Sequence, residues 1–146
     1  MIRKILSILV VLTLSILTVQ ANISKVAVVD VQKVVAKSAQ VKALKKEEEA
    51  KRKALADFIK QAGENIKKEQ NIEKKKTLAN KYEKELQAKR EANAKTYSTK
   101  LEAIDKSINA SIIQQAKAMG YDMVLTKGVV LYGGDDITEA ILKVVK

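Results

Sequence analysis

The sequence predicts an α+β fold in which a long antiparallel helical hairpin stands on a small β body. Three observations predict this fold. No proline interrupts the chain, and residues 41–117 carry apolar side chains at helical spacing. Short apolar runs rich in β-branched residues flank that stretch on both sides. Aromatic residues make up only 3% of the 146 residues, with no Trp, so a large globular core is not expected.

The amino terminus has the pattern of a secretory signal peptide. Two basic residues precede an apolar run over residues 5–19, which is short for a membrane-spanning helix. We therefore predict that residues 1–21 are a signal peptide, cleaved between Ala21 and Asn22. The mature chain then lies across a membrane. An uncleaved signal anchor is the alternative.

The β body is predicted from residues 22–40 and 118–146. In its first part, Val26–Val29 is an apolar run long enough for one buried strand. Asp30 can cap the short helix that follows, because a carboxylate accepts hydrogen bonds from the free amides at a helix start. Ser38 is a second candidate cap, at the start of the arm. The apolar face of the short helix consists of Val31, Val34 and Val35.

The arm is predicted over residues 41–117 as two helices that fold back near residues 70–71. The second helix carries one apolar stripe, formed by Tyr97, Leu101, Ile104, Ile108, Ile112 and Met119 together with Ser111 and Gln115. Folding at this point sets two stretches without large apolar residues, 45–54 and 87–96, opposite each other. It also pairs Val41 with Leu101, Leu44 with Tyr97, Leu55 with Leu86, Ile59 with Tyr82, and Ala62 with Leu78. The matching predicts an antiparallel hairpin, and the alternative is a single straight helix that pairs with another chain.

In the second part of the β body, Gly120 suits the left-handed conformation of a helix cap. Residues 121–126 predict a strand, residues 127–128 a tight turn, and residues 129–132 a returning strand. Ahead of the last helix, Asp136 and Glu139 have capping-box spacing. One protomer would leave strand edges uncovered, so we predict oligomerisation through this body. The candidate oligomerisation residues are Val26, Val28, Met123, Leu125, Val130 and Tyr132.

Positive charge is concentrated on the arm. Residues 41–117 contain 20 Lys/Arg and 12 Asp/Glu, a net charge of +8, whereas the rest of the mature chain has 6 and 5, a net charge of +1. A basic surface attracts acidic chains, an anionic lipid surface or nucleic acid, and export removes the chain from nucleic acid in the cell. Part of this charge can belong to a solvated face with ion pairs between successive turns. The candidate client-binding residues are Ile66, Lys67, Lys68, Ile72, Lys74, Lys75, Lys76, Lys81, Lys89 and Arg90.

The sequence offers little for catalysis. With no Cys and no His, it lacks thiol nucleophiles, disulfides, histidine acid–base chemistry and the usual zinc ligand sets. No phosphate-binding loop or catalytic triad is present, and the adjacent carboxylates Asp135 and Asp136 are better explained as a helix cap. We expect neither an enzyme nor a bound cofactor or metal.

Two segments carry a resemblance to a known family: KVAVVDVQKVVAKSAQVKALKKE at residues 25–47 and GYDMVLTKGVVLYGGDDITEAILKVVK at residues 120–146. On these segments the chain resembles the Skp family of periplasmic chaperones, also called the OmpH family; the charged stretch between them is similar only in character. The resemblance implies a homotrimer whose three arms enclose a cavity. It also implies ATP-independent holding of unfolded outer-membrane proteins. Residues 38–41, Ser-Ala-Gln-Val, stand where relatives often have a Ser-Pro-x-Gly turn, which blurs where the arm begins.

Two other functions agree with parts of the pattern. A membrane-anchored structural coiled coil, such as an envelope tether, would keep residues 1–21 and would need no β body. A DNA-compacting basic protein would need a cytoplasmic location. We predict a periplasmic holdase chaperone for unfolded outer-membrane proteins, and the mass of the mature protein separates this prediction from the tether.

Overall fold

The structure is a computed structural model that describes residues 24–145. The predicted signal peptide and its cleavage site between Ala21 and Asn22 lie outside the described residues. In chain order the elements are β1 (Val26–Val29), α1 (Val31–Lys37), α2 (Ala39–Lys68), α3 (Ile72–Ala118), β2 (Met123–Thr126), a 3₁₀ turn (Lys127–Val129), β3 (Asp135–Asp136) and α4 (Thr138–Leu142). Within residues 24–145, none of the helices has the combined length and apolar content needed to cross a membrane.

The arm is an antiparallel pair of helices, α2 with 30 residues and α3 with 47. They are joined by a turn at residues 69–71, which contains the predicted fold point. The Asn71 side chain caps α3 by accepting a 3.0 Å hydrogen bond from the Lys74 amide, and Glu69 accepts one of 2.9 Å from the Asn71 amide. Both ends of the turn are therefore held by side chains that accept from free backbone amides.

The pairing of the two arm helices agrees only in part with the predicted pairing. Phe58 packs against Tyr82, next to the predicted Ile59–Tyr82 pair. Glu47 contacts Lys100 and Asn65 donates to Tyr82, and these two contacts lie between one and two helical turns further along α3 than predicted. Side chains on a helix point back toward its amino terminus. The side chains of two antiparallel helices therefore point in opposite directions along the arm. Residues that touch are consequently not level along the arm. The predicted seam residues Ile59, Tyr97 and Leu101 are between 40% and 47% exposed.

The sheet has three parallel strands in the order β2-β1-β3. Residue 26 of β1 pairs with Met123 of β2, and Ala27 pairs with Asp135 of β3. The predicted returning strand at 129–132 is wrong, because Val129 ends the 3₁₀ turn, residues 130–132 form a loop, and the third strand comes later, at Asp135–Asp136. Both edges of β1 are paired within the protomer. The expectation of uncovered strand edges therefore fails for Val28, which is paired on both sides, whereas β2 lies at an edge of the sheet.

The connection from β2 to β3 must carry the chain back past β1, because parallel strands start at the same end of a sheet. Gly134 makes this possible. Its φ is +82°, and a Cβ at this position would lie 2.6 Å from Cγ2 of Val28. Only a residue without a side chain allows the backbone to approach β1 this closely. Turn propensities over residues 127–134 could not reveal such a non-local contact.

The main apolar core lies where the sheet meets the base of the arm. Its buried members are Ala27, Val29, Val34, Ile108, Ile112, Ala116, Ile137 and Ile141. In the α3 stripe, Ile104, Ile108 and Ile112 pack as predicted, whereas Ala116 is buried and Met119 is partly exposed. The core is therefore confined to the base, and the rest of the arm projects from it.

The helix ends of the body were predicted with mixed success. Asp30 caps α1 through a 2.9 Å hydrogen bond from the Lys33 amide, and Gly120 ends α3 with a φ of +79°. Ser38 occupies the cap position of α2, where its carbonyl accepts from Lys42, but its hydroxyl makes no cap hydrogen bond. The predicted capping box does not form: Ile137 is at the cap position, Asp136 accepts from the Thr138 amide, and Glu139 pairs with Lys33.

Candidate binding surface of the helical arm

The tip of the arm combines exposed apolar and basic groups. Ile72, the first residue of α3, is 80% exposed, and Ile66 is partly buried on α2. The tip lysines, which we define as Lys67, Lys68, Lys74, Lys75 and Lys76, are all exposed. Next to them lies a cleft of about 340 Å³ that includes Lys74, Leu78 and Lys81. The structure thus brings most of the sequence-predicted client-binding residues to one end of the molecule.

The position of the tip lysines on the helices separates structural from binding roles. Lys67 and Lys68 stand in the last turn of α2, where positive charge interacts favourably with the helix dipole. Lys74, Lys75 and Lys76 lie near the start of α3, where the same dipole disfavours positive charge. Among the described residues these three form no ion pair. Their charge therefore does not serve the stability of α3.

Other lysines of the arm are already engaged. Lys51 pairs with Glu47 and Glu48 at 3.1 Å, and Lys100 reaches across from α3 to Glu47 at 2.5 Å. The hydrogen bonds from Lys100 and then Lys51 lower the pKa of Glu47, as expected for a carboxylate held between two ammonium groups. All of these groups are solvent-accessible, so the pairs contribute little to stability.

Lys89 and Arg90 lie far from the tip. Lys89 stands over the ring of Phe58, 5.1 Å from its centroid, and is 3.6 Å from Glu85. Arg90 is exposed. The rise of a helix places Lys89 about 25 Å along α3 from Ile72. The predicted client-binding set is therefore divided between the tip and the middle of the arm.

Two small cavities between α2 and α3 were not predicted. The base cavity, about 270 Å³, is formed by Ala43 and Leu44 of α2 and by Ala103 and Ile104 of α3, with Lys100 at its edge. The only sequence signal for it is a Lys-Ala-Leu triplet at residues 42–44.

The second, mid-arm cavity is about 250 Å³. Ala54, Leu55 and Phe58 form its α2 side, and Ala92 forms its α3 side, with Lys89 at the edge. A second Lys-Ala-Leu triplet, at residues 53–55, marks its position in the sequence. The mid-arm cavity lies where the two stretches without large apolar residues, 45–54 and 87–96, approach each other. Their small side chains leave the helices incompletely packed.

The candidate oligomerisation residues have different environments. Val28 is buried inside the protomer, and Val26 and Leu125 are partly buried in the sheet. Met123 of β2 is 50% exposed, and Val130 is partly buried. The most exposed apolar side chains lie in the apolar loop, which we define as residues 129–132. Within it, Leu131 is 102% exposed and Tyr132 is 98% exposed. Leu131 lies between the candidates Val130 and Tyr132 in the segment that was predicted as a strand and that the structure shows as a loop.

A group of ion pairs lies near the carboxyl ends of the strands. The Lys127 ammonium is 2.8 Å from Asp136. This hydrogen bond, followed by those from the hydroxyl and amide of Thr138, holds the pKa of the Asp136 carboxyl far below its usual value. Across residues 24–145, no cluster of acidic side chains has the arrangement of a metal site. The predicted structural role of Asp136 is thus supported by its partners.

The fold and the arm define an α+β protein with a long basic helical hairpin on a small parallel sheet. A family model described as "Outer membrane protein (OmpH-like)" matches residues 25–145, which is most of the chain. The chain therefore belongs to the OmpH-like family, and membership implies, at the level of the family, a periplasmic chaperone of outer-membrane proteins. No curated protein gives a significant match.

Proposed function

We propose that this protein is an ATP-independent holdase that binds unfolded outer-membrane proteins between the basic arms of a homotrimer. The arm is the observation that carries the proposal. Its two helices hold nearly all of the net positive charge of the mature chain. Within residues 24–145, three of the tip lysines form no ion pair, and they stand where the helix dipole disfavours positive charge. A surface of this kind lowers the free concentration of an aggregation-prone chain by mass action. We propose binding, and not catalysis, as its activity.

The trimeric state is part of the same proposal. The apolar loop at residues 129–132 and the outer edge of β2 are both uncovered in one protomer. Adjacent fully exposed apolar side chains and an unpaired edge favour association with further chains. A trimer would bring three arms to one side of the joined bodies, and the tip lysines could then contact one client together. The same lysines would also attract an anionic lipid surface.

We further propose that export removes residues 1–21 and leaves the mature chain in the periplasm. The intact mass of the native protein tests this directly. A mass that begins at Asn22 supports the chaperone, and a mass that retains the first 21 residues supports the membrane-anchored tether.

The decisive test is a dilution experiment. An outer-membrane β-barrel protein unfolded in urea is diluted into buffer with the mature protein, without ATP, and aggregation is followed by light scattering. We expect scattering to be suppressed at about three chains per client, and native mass spectrometry to show one client on three chains. A basic protein of similar size serves as the control. Unchanged scattering with the mature protein would exclude the holdase function.

A further inference from the structure

The base cavity and the mid-arm cavity repeat the same arrangement of residues. Every residue of α2 that contributes to the base cavity has a counterpart eleven positions further on in the mid-arm cavity, and the same spacing relates their α3 residues. The counterparts include Ala43 and Ala54, Leu44 and Leu55, Lys100 and Lys89, and Ala103 and Ala92. Eleven residues are close to three helical turns, so both cavities open on nearly the same face, about 16 Å apart.

The next level toward the tip differs in its side chains. Eleven residues beyond the mid-arm cavity on α3, the position of Asn93 is taken by Tyr82. Its ring packs edge-on against Phe58, with centroids 5.8 Å apart, and its hydroxyl accepts a 2.8 Å hydrogen bond from Asn65. The tip cleft lies at this level, but Lys81 stands where the mid-arm cavity has Ala92, so the small apolar lining of the other two cavities is not repeated there.

The surroundings of the two cavities favour an acidic occupant. Residues 40–58 and 89–104 contain ten Lys/Arg and six Asp/Glu, a net charge of +4. Lys89 and Lys100 stand at equivalent positions on the edge of each cavity. Each of these two lysines is also paired with a glutamate, Lys100 with Glu47 and Lys89 with Glu85, so an acidic segment would be attracted by the net positive charge of the whole face.

We propose that these two cavities form one groove that holds an extended segment of an acidic unfolded polypeptide, with one apolar side chain in each cavity. This inference rests on the proposed holdase function and specifies where the client is held. An extended chain rises about 3.3 Å per residue and places alternate side chains on the same face. Two apolar side chains four or six residues apart would span about 13 or 20 Å, which brackets the separation of the cavities.

The polar bridge between the cavities favours a polypeptide over an acyl chain. Glu47 belongs to the base cavity and Lys51 to the mid-arm cavity, and their 3.1 Å ion pair lies between the two apolar surfaces. A continuous hydrocarbon chain would have to cover these charged groups, which is unfavourable. A peptide backbone crossing at this point offers its own amide and carbonyl groups as hydrogen-bond partners.

The test uses the mature full-length protein and fluorescent 15-residue peptides of Gly, Ser and Asp that contain two leucines. The two leucines are four residues apart in one peptide and six residues apart in a second peptide. In the control peptide, which has the same composition, they are adjacent. Because one additional buried leucine is worth about a factor of ten or more in affinity, we expect at least one spaced peptide to bind about tenfold more tightly than the control.

Cavity-filling variants locate the binding. Ala43→Leu and Ala54→Leu fill the base and mid-arm cavities without changing charge, and leucine is nearly as good a helix former as alanine. Each should reduce binding of the spaced peptide to the level of the control peptide. Ala56→Leu is the matched control, since Ala56 is exposed and borders neither cavity. Ala92→Leu fills the mid-arm cavity from α3 and replaces Ala54→Leu if that variant does not fold.

The outcomes distinguish this inference from the proposed function. The proposed groove is contradicted if the spacing of the leucines has no effect on peptide affinity. It is also contradicted if the cavity-filling variants bind the spaced peptides as tightly as Ala56→Leu does. The holdase assay is run on the same proteins. Suppression of aggregation by the wild type together with a negative peptide result would reject the groove alone, whereas failure of the wild type in that assay would reject the holdase function itself.

Discussion

Gly134 is the single residue on which the path of the chain across β1 depends. Replacing it with Ala places a Cβ 2.6 Å from Val28 and forces a positive φ on a residue that disfavours it. We expect Gly134→Ala to destabilise the protein by about 1–3 kcal/mol in chemical denaturation. Gly128→Ala is the control, because that position has open space around it and no positive φ. Equal denaturation midpoints for the two variants would contradict the close approach.

Ionisation of the Asp136 carboxyl should make the stability of the β body depend on pH. Hydrogen bonds from Lys127 and Thr138 hold the pKa of this carboxyl in the folded state below its unfolded value. The stabilisation is therefore present above about pH 4 and is lost as pH falls below it toward the folded pKa. The side chain is 45% exposed, so screening keeps the effect small. We expect the urea midpoint of wild type to fall more between pH 6 and pH 3 than that of Asp136→Asn, and parallel falls would refute this.

At the scale of the helices, stability should vary along the arm. The stretches 45–54 and 87–96 border the mid-arm cavity and lack the buried Leu or Ile side chains that supply about 1.5–3 kcal/mol each elsewhere. Residues 104–112 include the buried Ile108 and Ile112. Hydrogen exchange should therefore be at least tenfold faster in the two stretches than at 104–112. Equal protection would show that the arm is uniformly rigid.

How well each element could be predicted depended on whether its determinants are local. Asp30 and Gly120 were identified as caps because each acts on backbone groups within its own turn. The arm helices follow from a periodicity that needs no partner. The pairing of α2 with α3 depends on the lean of side chains, and β3 depends on Gly134 meeting Val28, which is more than one hundred positions away. Neither determinant is visible in a local pattern.

The same difference between local and non-local determinants applies to the candidate binding surface. The tip lysines were predicted because charge is counted directly from the sequence. The two cavities were not, although each Lys-Ala-Leu triplet marks one of them. A cavity is defined by what two helices leave empty between them, and that requires the observed pairing. Val28 was placed at an oligomer interface because the parallel pairing of β1 on both edges was not foreseen.

At the scale of the whole molecule, the proposed trimer should depend on the apolar loop. Leu131→Asp together with Tyr132→Asp places charge where a partner would bury it, at a cost of several kcal/mol. Since both side chains are fully exposed in the protomer, its own fold should be unaffected. We expect sedimentation to show monomers with unchanged helix content. An unaltered oligomer would mean that association uses another surface. The corresponding change at Val28 would unfold the protomer and cannot test assembly.

The tip lysines should govern the rate at which a client is captured. Reversing Lys74, Lys75 and Lys76 to Glu removes positive charge that no ion pair in residues 24–145 requires, so the body should remain intact. We expect slower capture of an unfolded outer-membrane protein in stopped-flow fluorescence, with added salt slowing the wild type similarly. Reversing Lys37, Lys117 and Lys143, which are exposed and lie outside both the tip and residues 40–58 and 89–104, is the matched control and should slow capture less. Insensitivity to both tip charge and salt would assign capture to apolar contacts.

The parallel pairing of β1 with β2 also requires two segments that are far apart in the sequence to meet during folding. Lys25 and Asp122, which flank β1 and β2, are joined by a hydrogen bond across 97 positions of sequence. Joining two such distant segments directly would carry the entropy cost of closing a long flexible loop. The hairpin removes most of that cost, because its two helices, joined by a three-residue turn, return the chain to β1 before β2 begins. Beyond offering a surface to other chains, the arm is the part of this protein that allows the two halves of its sheet to meet.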